Sequence, residues 1–146
     1  MTRIDFHFNV DHRVRYACRV IRKARAAGKR IVVCARDADR IAQFDTTLWA
    51  FSALDFLPHV YVESPLAAGT PVLLTVDPDA APPSDVLLTL DDEVLPEFAR
   101  LAERYERVIE VVSRDDDDRA RARARFKLYK EQGYKPTTFE MGHGDQ

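Results

Sequence analysis

The sequence of 146 residues contains little cysteine and little glycine. Its two cysteines, Cys18 and Cys34, both lie in apolar stretches, which predicts buried thiols in a reducing compartment rather than a disulfide. With only five glycines, the chain has neither of the glycine-rich loops, G-x-G-x-x-G and G-x-x-x-x-G-K-[ST], that cradle nucleotide phosphates. The pair Gly28-Lys29 follows a predicted helix instead of opening one, which is typical of a helix end. These absences argue against a nucleotide-binding site.

Other features are missing as well. No apolar run approaches the roughly 20 residues that a membrane helix needs, and residues 1–8 lack the apolar core of a signal peptide. The net charge of −2 excludes a protein held to nucleic acid by its overall field, but it leaves a local basic patch open. The histidines show no metal-ligand spacing, and no G-x-S-x-G motif occurs. We therefore expect a cytoplasmic protein without a metal, a cofactor or catalytic residues.

The hydrophobic pattern alternates between strands and helices. In residues 3–10 the period is two, which predicts a strand with a core side and a wetter side. The core side of this strand consists of Ile4, Phe6, Phe8 and Val10. Further strands are predicted at 31–35, 60–62, 72–76, 86–90 and 108–112. Helical spacing runs from Val14 to a helix end at Gly28 and, after a cap at Asp37 or Asp39, from Ile41 to Trp49; two more helices are predicted at 95–105 and 116–132. This order predicts one α/β domain over residues 1–138, with a mostly parallel open sheet, helices on both faces and a flexible tail at 139–146.

The last predicted helix is strongly basic. Between residues 119 and 130 it carries six cations and no carboxylate: Arg119, Arg121, Arg123, Arg125, Lys127 and Lys130. At 3.6 residues per turn, Arg119, Arg123 and Lys130 form one narrow stripe, bordered by Phe126 and Lys127. Arg121 and Arg125 point away from this stripe, and Ala122 and Tyr129 face the sheet. The preceding run Asp115–Asp118 is typical of a helix N-terminus.

Three interpretations of the stripe stay open at this point. It can be a solvated face with intrahelical pairs, since Asp115 and Arg119, and likewise Asp117 and Arg121, have i,i+4 spacing. Cations beside an aromatic ring would also suit an acidic peptide with an apolar anchor. The same cations would suit nucleic acid.

Three segments make the chain resemble the chi subunit of bacterial DNA polymerase III holoenzyme. They are residues 48–51 (Leu-Trp-Ala-Phe) with 56–59 (Phe-Leu-Pro-His), residues 85–90 (Asp-Val-Leu-Leu-Thr-Leu) and residues 123–134, which resemble the family ending R-x-R-[YF]-K-x-Y-[RK]-x-x-G-[FY]. The resemblance implies a Rossmann-like α/β fold without a nucleotide-binding loop, and a protein that is not an enzyme. It also implies an adaptor that joins the clamp loader, through the psi subunit, to single-stranded-DNA-binding protein (SSB), so that DNA is contacted only indirectly.

The resemblance also assigns residues to two binding surfaces. The acidic C-terminal tail of SSB, which ends in Phe with a free carboxylate, would meet Arg119, Arg123, Phe126 and Lys127, with Val112 at the edge of the last strand. The psi subunit would meet Trp49, Phe56, Pro58 and His59. Without the family argument, a single Trp after an amphipathic helix is usually a core residue. Direct nucleic-acid binding by the basic helix is the alternative function.

Overall fold

The structure is a computed structural model that describes residues 1–51 and 56–142. Its strands are β1 (Arg3–Val10), β2 (Ile31–Cys34), β3 (His59–Tyr61), β4 (Val72–Thr75), β5 (Val86–Thr89), β6 (Arg107–Ser113) and β7 (Thr137–Glu140). Its α-helices are α1 (Arg13–Ala26), α2 (Ala38–Phe51), α3 (Phe98–Ala102) and α4 (Asp116–Glu131). Two single-turn 3₁₀ segments, Ala67–Gly69 and Pro78–Ala80, lie on either side of β4.

The seven strands form one sheet in the order β3-β4-β2-β5-β6-β1-β7, and the neighbouring strands are parallel. One apolar cluster holds α1 and α2 against one face, and a second cluster holds α3 and α4 against the other. This arrangement confirms the predicted α/β class with helices on both faces. Within the described ranges, none of the helices has the length and apolar character needed to cross a membrane.

Strand β1 differs from its predicted pattern at its carboxyl end. Asn9 has a positive φ of 68°, and the pairing of β1 with β6 shifts register between His7 and Val10. Such a bulge adds one residue to the strand and reverses the side on which the following side chain lies. Val10 therefore belongs to the α1–α2 cluster, while Ile4 and Phe6 belong to the α3–α4 cluster. The expectation that Val10 shares a side with Phe6 was wrong.

The side of β1 that was predicted to face solvent is also covered. Asp5 is fully buried, and its carboxylate accepts hydrogen bonds from Arg3 Nε at 3.0 Å, from Arg107 Nε at 2.6 Å and from the Thr137 hydroxyl. Burial alone would raise the pKa of Asp5, but these three donors hold it below its usual value. The polar residue at position 5 thus joins β1 to β6 and β7.

Two elements depart from the expected boundaries. Strand β7 was not predicted; it pairs with β1, with Thr138 opposite Phe6, and it continues two residues past the expected domain end at 138. Helix α3 is shorter than the predicted 95–105, because Leu95 precedes a proline and Glu97 adopts a left-handed φ of 51°. Residues 143–146 of the predicted tail lie outside the described residues.

Candidate peptide-binding surfaces

The N-terminus of α4 is stabilised by its acidic run. The Asp115 carboxylate accepts a hydrogen bond from the backbone N–H of Asp118 at 3.0 Å, which is a side-chain cap. The Asp118 carboxylate accepts from the backbone N–H and the hydroxyl of Ser113, at 2.7 and 2.9 Å. The carboxylates of the first turn also lie at the positive end of the helix dipole. These contacts confirm the interpretation of residues 115–118 as a helix N-terminus.

The buried face of α4 is anchored by an ion pair. Arg125 Nε donates to Glu110 Oε1 on β6 at 3.1 Å, and the Tyr129 hydroxyl donates to the other oxygen of the same carboxylate. The side chains of Arg125 and Glu110 are 2% and 1% exposed. Arg125 Nη1 also donates to the carbonyl oxygen of Asp92 at 2.7 Å. Arg125 does point away from the stripe, as predicted, but it does so as a core residue that fixes the rotation of α4.

Burial shifts the titration of this group of side chains. Burial raises the pKa of Glu110, and the neighbouring Arg125 guanidinium and Tyr129 hydroxyl oppose that rise. Burial also raises the pKa of Tyr129 well above its usual value, so its hydroxyl stays a donor. Both shifts have the same principal cause, the burial of these side chains between α4 and the sheet.

The opposite face of α4 presents the predicted stripe to solvent. Arg119, Arg123, Lys127 and Lys130 are all exposed. Within residues 1–51 and 56–142, none of these four cations has a carboxylate oxygen within 4.0 Å. The positive charge of the stripe is therefore not neutralised by ion pairs with the side chains that the structure describes.

The intrahelical pairs considered from the sequence are not the ones that form. Asp115 binds a backbone N–H instead of Arg119. Arg121 lies 3.7 Å from Asp92 and 3.9 Å from Asp118, rather than beside Asp117. The two i,i+4 pairs expected from the sequence are therefore replaced by the helix cap and by the contacts of Arg121, while the stripe itself is solvent-exposed, as the interpretation of a solvated face expected.

An apolar border accompanies the stripe. Phe126 is half-buried, with its ring centroid 5.4 Å from that of Phe6 and 5.9 Å from Lys130 Nζ. Phe8 follows Phe6 on the same side of β1 and is also half-buried against the α3–α4 cluster. The alternating pattern of β1 placed Phe8 on the core side of the strand, but it did not show that the helices cover this residue only in part. Phe8 was therefore missed as a site residue. Cations and accessible ring surface thus lie side by side.

Val112 lies beneath this surface instead of on it. Strand β6 runs between β5 and β1 in the interior of the sheet, and Val112 is 2% exposed. Val112 does lie near the end of β6, as expected, but it is buried beneath α4 and is not exposed to a tail as a contact residue. A separate cavity of about 440 Å³ lies on the other flank of α4, between that helix and α3. Its lining includes Leu128, which lies on the opposite side of α4 from Arg119, about 180° around the helix axis. This cavity is therefore not part of the stripe.

A second surface lies at the far end of the sheet. Trp49, in the last turn of α2, is 50% exposed, and Phe56 is 71% exposed. Their rings lie 5.6 Å apart, and Pro58, between Phe56 and β3, is exposed as well. Exposed aromatic side chains in contact with each other are typical of interface anchors. The alternative of Trp49 as a core residue was wrong.

His59 is placed differently from the other three residues of this surface. It is 3% exposed and its ring lies 4.0 Å from the Trp49 ring. Nδ1 lies 2.8 Å from the carbonyl oxygen of Leu57, and Nε2 lies 2.9 Å from Asp45 Oδ1. His59 therefore supports Trp49 from below and is not exposed to a partner, which corrects its expected role as a contact residue.

The crevice at the carboxyl ends of the strands is occupied by side chains that bind one another. Ligands of open parallel sheets bind at this position. Here Asp92 Oδ1 accepts from Arg13 Nη1 at 3.0 Å and from Arg40 Nη1 at 3.2 Å. The Asp91 carboxylate accepts from the backbone N–H of Arg36 at 2.9 Å. Burial opposes ionisation of Asp92, yet the bonds from Arg40 and Arg13 hold its pKa below the usual value.

Comparison with known proteins gives a family match along most of the chain. Residues 1–137 match the family described as DNA polymerase III chi subunit, HolC. The chain is 34% identical over 142 residues to the DNA polymerase III subunit chi of Pseudomonas aeruginosa, which covers 92% of this chain and 93% of that relative. It is 26% identical over 122 residues to the Escherichia coli subunit, with 83% and 80% coverage. For the Haemophilus influenzae subunit the identity is 24% over 127 residues, with 86% and 85% coverage. These matches confirm the resemblance found in the sequence, and the chain belongs to the DNA polymerase III chi subunit family.

Proposed function

We propose that this protein is a non-catalytic accessory subunit of DNA polymerase III that connects SSB to the clamp loader. In this proposal the stripe on α4 binds the acidic C-terminal tail of SSB, and the aromatic surface around Trp49 binds the psi subunit. The observation that carries the proposal is the pairing of unneutralised cations with half-buried Phe126 on one exposed helix face.

The chemistry of the stripe suits a carboxylate-rich tail that ends in an aromatic residue. Arginine guanidinium groups such as Arg119 and Arg123 bind carboxylates in a bidentate manner. A terminal Phe would pack against the ring of Phe126 and the alkyl stem of Lys127. A hydrogen bond to a charged group contributes about 1.5–3 kcal/mol, so the loss of one such contact is measurable as a change in peptide affinity.

The positions of the two surfaces support simultaneous binding of two partners. Strand β3, next to the Trp49 surface, is one edge of the sheet, while β1, beneath Phe126, is next to the other edge. Helices α2 and α4 also lie on opposite faces of the sheet. A partner at either surface leaves the other accessible, as an adaptor requires.

The carboxyl-end crevice supports the non-catalytic part of the proposal. Asp92 is held by Arg13 and Arg40, and these groups satisfy one another's charges. A substrate binding there would first have to break these ion pairs.

The proposal is tested with a fluorescently labelled acidic peptide that ends in Phe, titrated with the protein and followed by anisotropy. Arg123→Ala is expected to weaken binding roughly ten- to a hundredfold, because it removes a charge-assisted hydrogen bond. Arg121→Ala is the matched control, since Arg121 lies off the stripe beside Asp92, and it is expected to change binding much less. An amidated peptide, which lacks the terminal carboxylate, is expected to bind more weakly to the unmodified protein. Equal losses from both substitutions would contradict the assignment of the stripe.

A further inference from the structure

Helix α1 and the residues around it form a second basic region, on the face of the sheet opposite to α4. Residues 12–36 contain nine cations and not one carboxylate: Arg13, Arg15, Arg19, Arg22, Lys23, Arg25, Lys29, Arg30 and Arg36. This local excess of positive charge does not show in the net charge of −2, because acidic residues elsewhere in the chain balance it. A count of charge by segment would have revealed it in the sequence.

Three of these cations share the outer face of α1. The inner face is fixed because Val14, Ala17 and Ile21 are buried in the α1–α2 cluster. Residues 15, 19 and 23 therefore point outward, about 6 Å apart along the axis and turned by about 40° from one to the next. Arg15, Arg19 and Lys23 form a row of positive charge, which we call the α1 row.

Some of the neighbouring cations have acidic partners, but the cations of the α1 row do not. Arg13 pairs with Asp92 and Asp118, and Lys29 lies 4.0 Å from Glu106. In the part of the chain that the structure describes, no carboxylate oxygen lies within 4.0 Å of Arg15, Arg19 or Lys23. Three adjacent and unneutralised cations favour an anionic partner outside the chain.

The composition of this face distinguishes between classes of anionic partner. The exposed large apolar residues of the described chain are Met1, Trp49, Phe56, Leu66, Val76, Leu128 and Phe139, and none of them belongs to α1. A helix that lies on a membrane inserts an exposed apolar side, and a protein partner needs an apolar interface core. A row of cations without either feature fits a polyanion whose charges are spaced along a chain.

We propose that the α1 row contacts the phosphate backbone of nucleic acid. This goes beyond the proposed adaptor function, in which SSB alone brings the protein to DNA. The contact is independent of base sequence, because it neutralises phosphates and does not reach base edges. For single strands, three cations give a slope of about −2 in a plot of the logarithm of the binding constant against the logarithm of the salt concentration. A rise from 50 to 200 mM salt therefore weakens binding about 20-fold. The isolated contact is therefore weak at physiological salt and adds to binding when SSB holds the protein beside a strand.

The test measures binding of the full chain to labelled oligonucleotides at about 50 mM salt. An oligothymidylate and a duplex of equal length distinguish single-stranded from double-stranded backbone. The triple variant Arg15→Glu, Arg19→Glu, Lys23→Glu is expected to lose at least tenfold in DNA affinity and to keep its affinity for the acidic tail peptide. The retained peptide binding also shows that the variant is folded. If the three charge reversals unfold the chain, the variant with Gln at positions 15, 19 and 23 is used instead, and the same results are expected of it.

The matched control reverses the same number of charges on α4, through Arg119→Glu, Arg123→Glu and Lys127→Glu. This variant is expected to lose the peptide and to retain most of its affinity for DNA. Equal loss of DNA binding in both triple variants would overturn the proposal, since it would show an effect of net charge alone. Absence of DNA binding by the unmodified protein at 50 mM salt, or binding to vesicles of anionic lipid instead of DNA, would also overturn it. Failure of the peptide arm alone would contradict the adaptor function and leave the α1 row unaffected.

Discussion

Helices α1 and α4 both carry cations on their outer faces, but they are attached to the sheet by different means. The buried side of α1 is apolar, with Val14, Ala17 and Ile21 as its core residues, and its first turn has no acidic residue. The buried side of α4 includes Arg125, and its first turn is acidic. Helix α1 is held mainly by apolar burial, with the ion pairs of Arg13 only at its first residue, whereas the buried face of α4 includes a buried ion pair.

The outer faces differ as well. Phe126 provides a ring beside the cations of α4, while the described part of α1 exposes no large apolar side chain. Positive charge alone therefore does not define a partner. The neighbouring ring surface favours a peptide with an aromatic end on α4, and its absence favours a phosphate backbone on α1.

The largest expected effect comes from breaking the attachment of α4. Glu110→Ala leaves the Arg125 guanidinium buried without its partner, and removal of one member of a buried ion pair costs about 3–5 kcal/mol. We expect a loss of this size in the free energy of unfolding, measured by urea denaturation. The double variant Glu110→Leu, Arg125→Leu is the control and is expected to recover much of the loss. A change below about 1 kcal/mol for Glu110→Ala would show that α4 does not depend on this pair.

A somewhat smaller effect is expected beneath α1 when the pH is lowered. His7 Nδ1 lies 2.7 Å from the Tyr16 hydroxyl of α1, and burial together with the nearby Arg107 charge lowers the pKa of His7 to about 4. The folded state therefore favours the neutral ring. The stability contributed by the neutral His7 ring is complete above pH 6.5 and is lost as the pH falls from 6.5 toward 4. The total is about 3 kcal/mol, at 1.36 kcal/mol per unit of pKa.

The variant His7→Gln isolates this contribution because glutamine does not titrate. Unfolding free energies of both proteins are to be measured from pH 7.5 to 4. Between pH 6.5 and 4, we expect the free energy of unfolding of the variant to fall less steeply with pH than that of the unmodified protein. The difference in slope should correspond to the binding of one proton on unfolding. Parallel curves would contradict the assignment of His7.

The smallest of the three effects concerns the aromatic surface around Trp49, at the C-terminal end of α2. Trp49→Ala is expected to reduce affinity for psi about 30-fold or more, which corresponds to about 2 kcal/mol at an interface anchor. Affinity for the acidic tail peptide should stay nearly unchanged, because Trp49 and the stripe lie on distant elements. Co-purification with psi and peptide anisotropy measure the two quantities. An unfolded Trp49→Ala protein, or equal losses at both surfaces, would contradict the separation of the surfaces.

The sequence predicted the elements whose pattern is local. The continuous apolar runs of β2, β4, β5 and β6 were found because parallel strands are covered on both faces. The bounds of α4 followed from its acidic start and from Gly133, which has the expected positive φ of 93°. The stripe could also be predicted, since a regular helix with known bounds fixes which side chains share a face.

The features that sequence reasoning missed depend on contacts between distant residues. Strand β7 has no apolar alternation, and it exists because Asp5 and the backbone of β1 pair with it. The burial of His59 depends on Asp45, 14 residues earlier. The role of Arg125 needed Glu110 from another element, because a guanidinium enters a core only with its counter-ion. Such partners become visible only when the sheet order is known.

The position of β1 in the sheet has a consequence for synthesis of the chain. Strand β1 pairs with β6 and β7, and its residue Arg3 lies opposite Arg107. At about 5–20 residues per second, the ribosome makes β1 roughly 5–20 s before it makes either neighbour. During that interval an apolar strand with two open edges waits for its partners. The nascent chain is therefore most prone to aggregation in its N-terminal part, and full protection of that part comes only when the last strand leaves the ribosome.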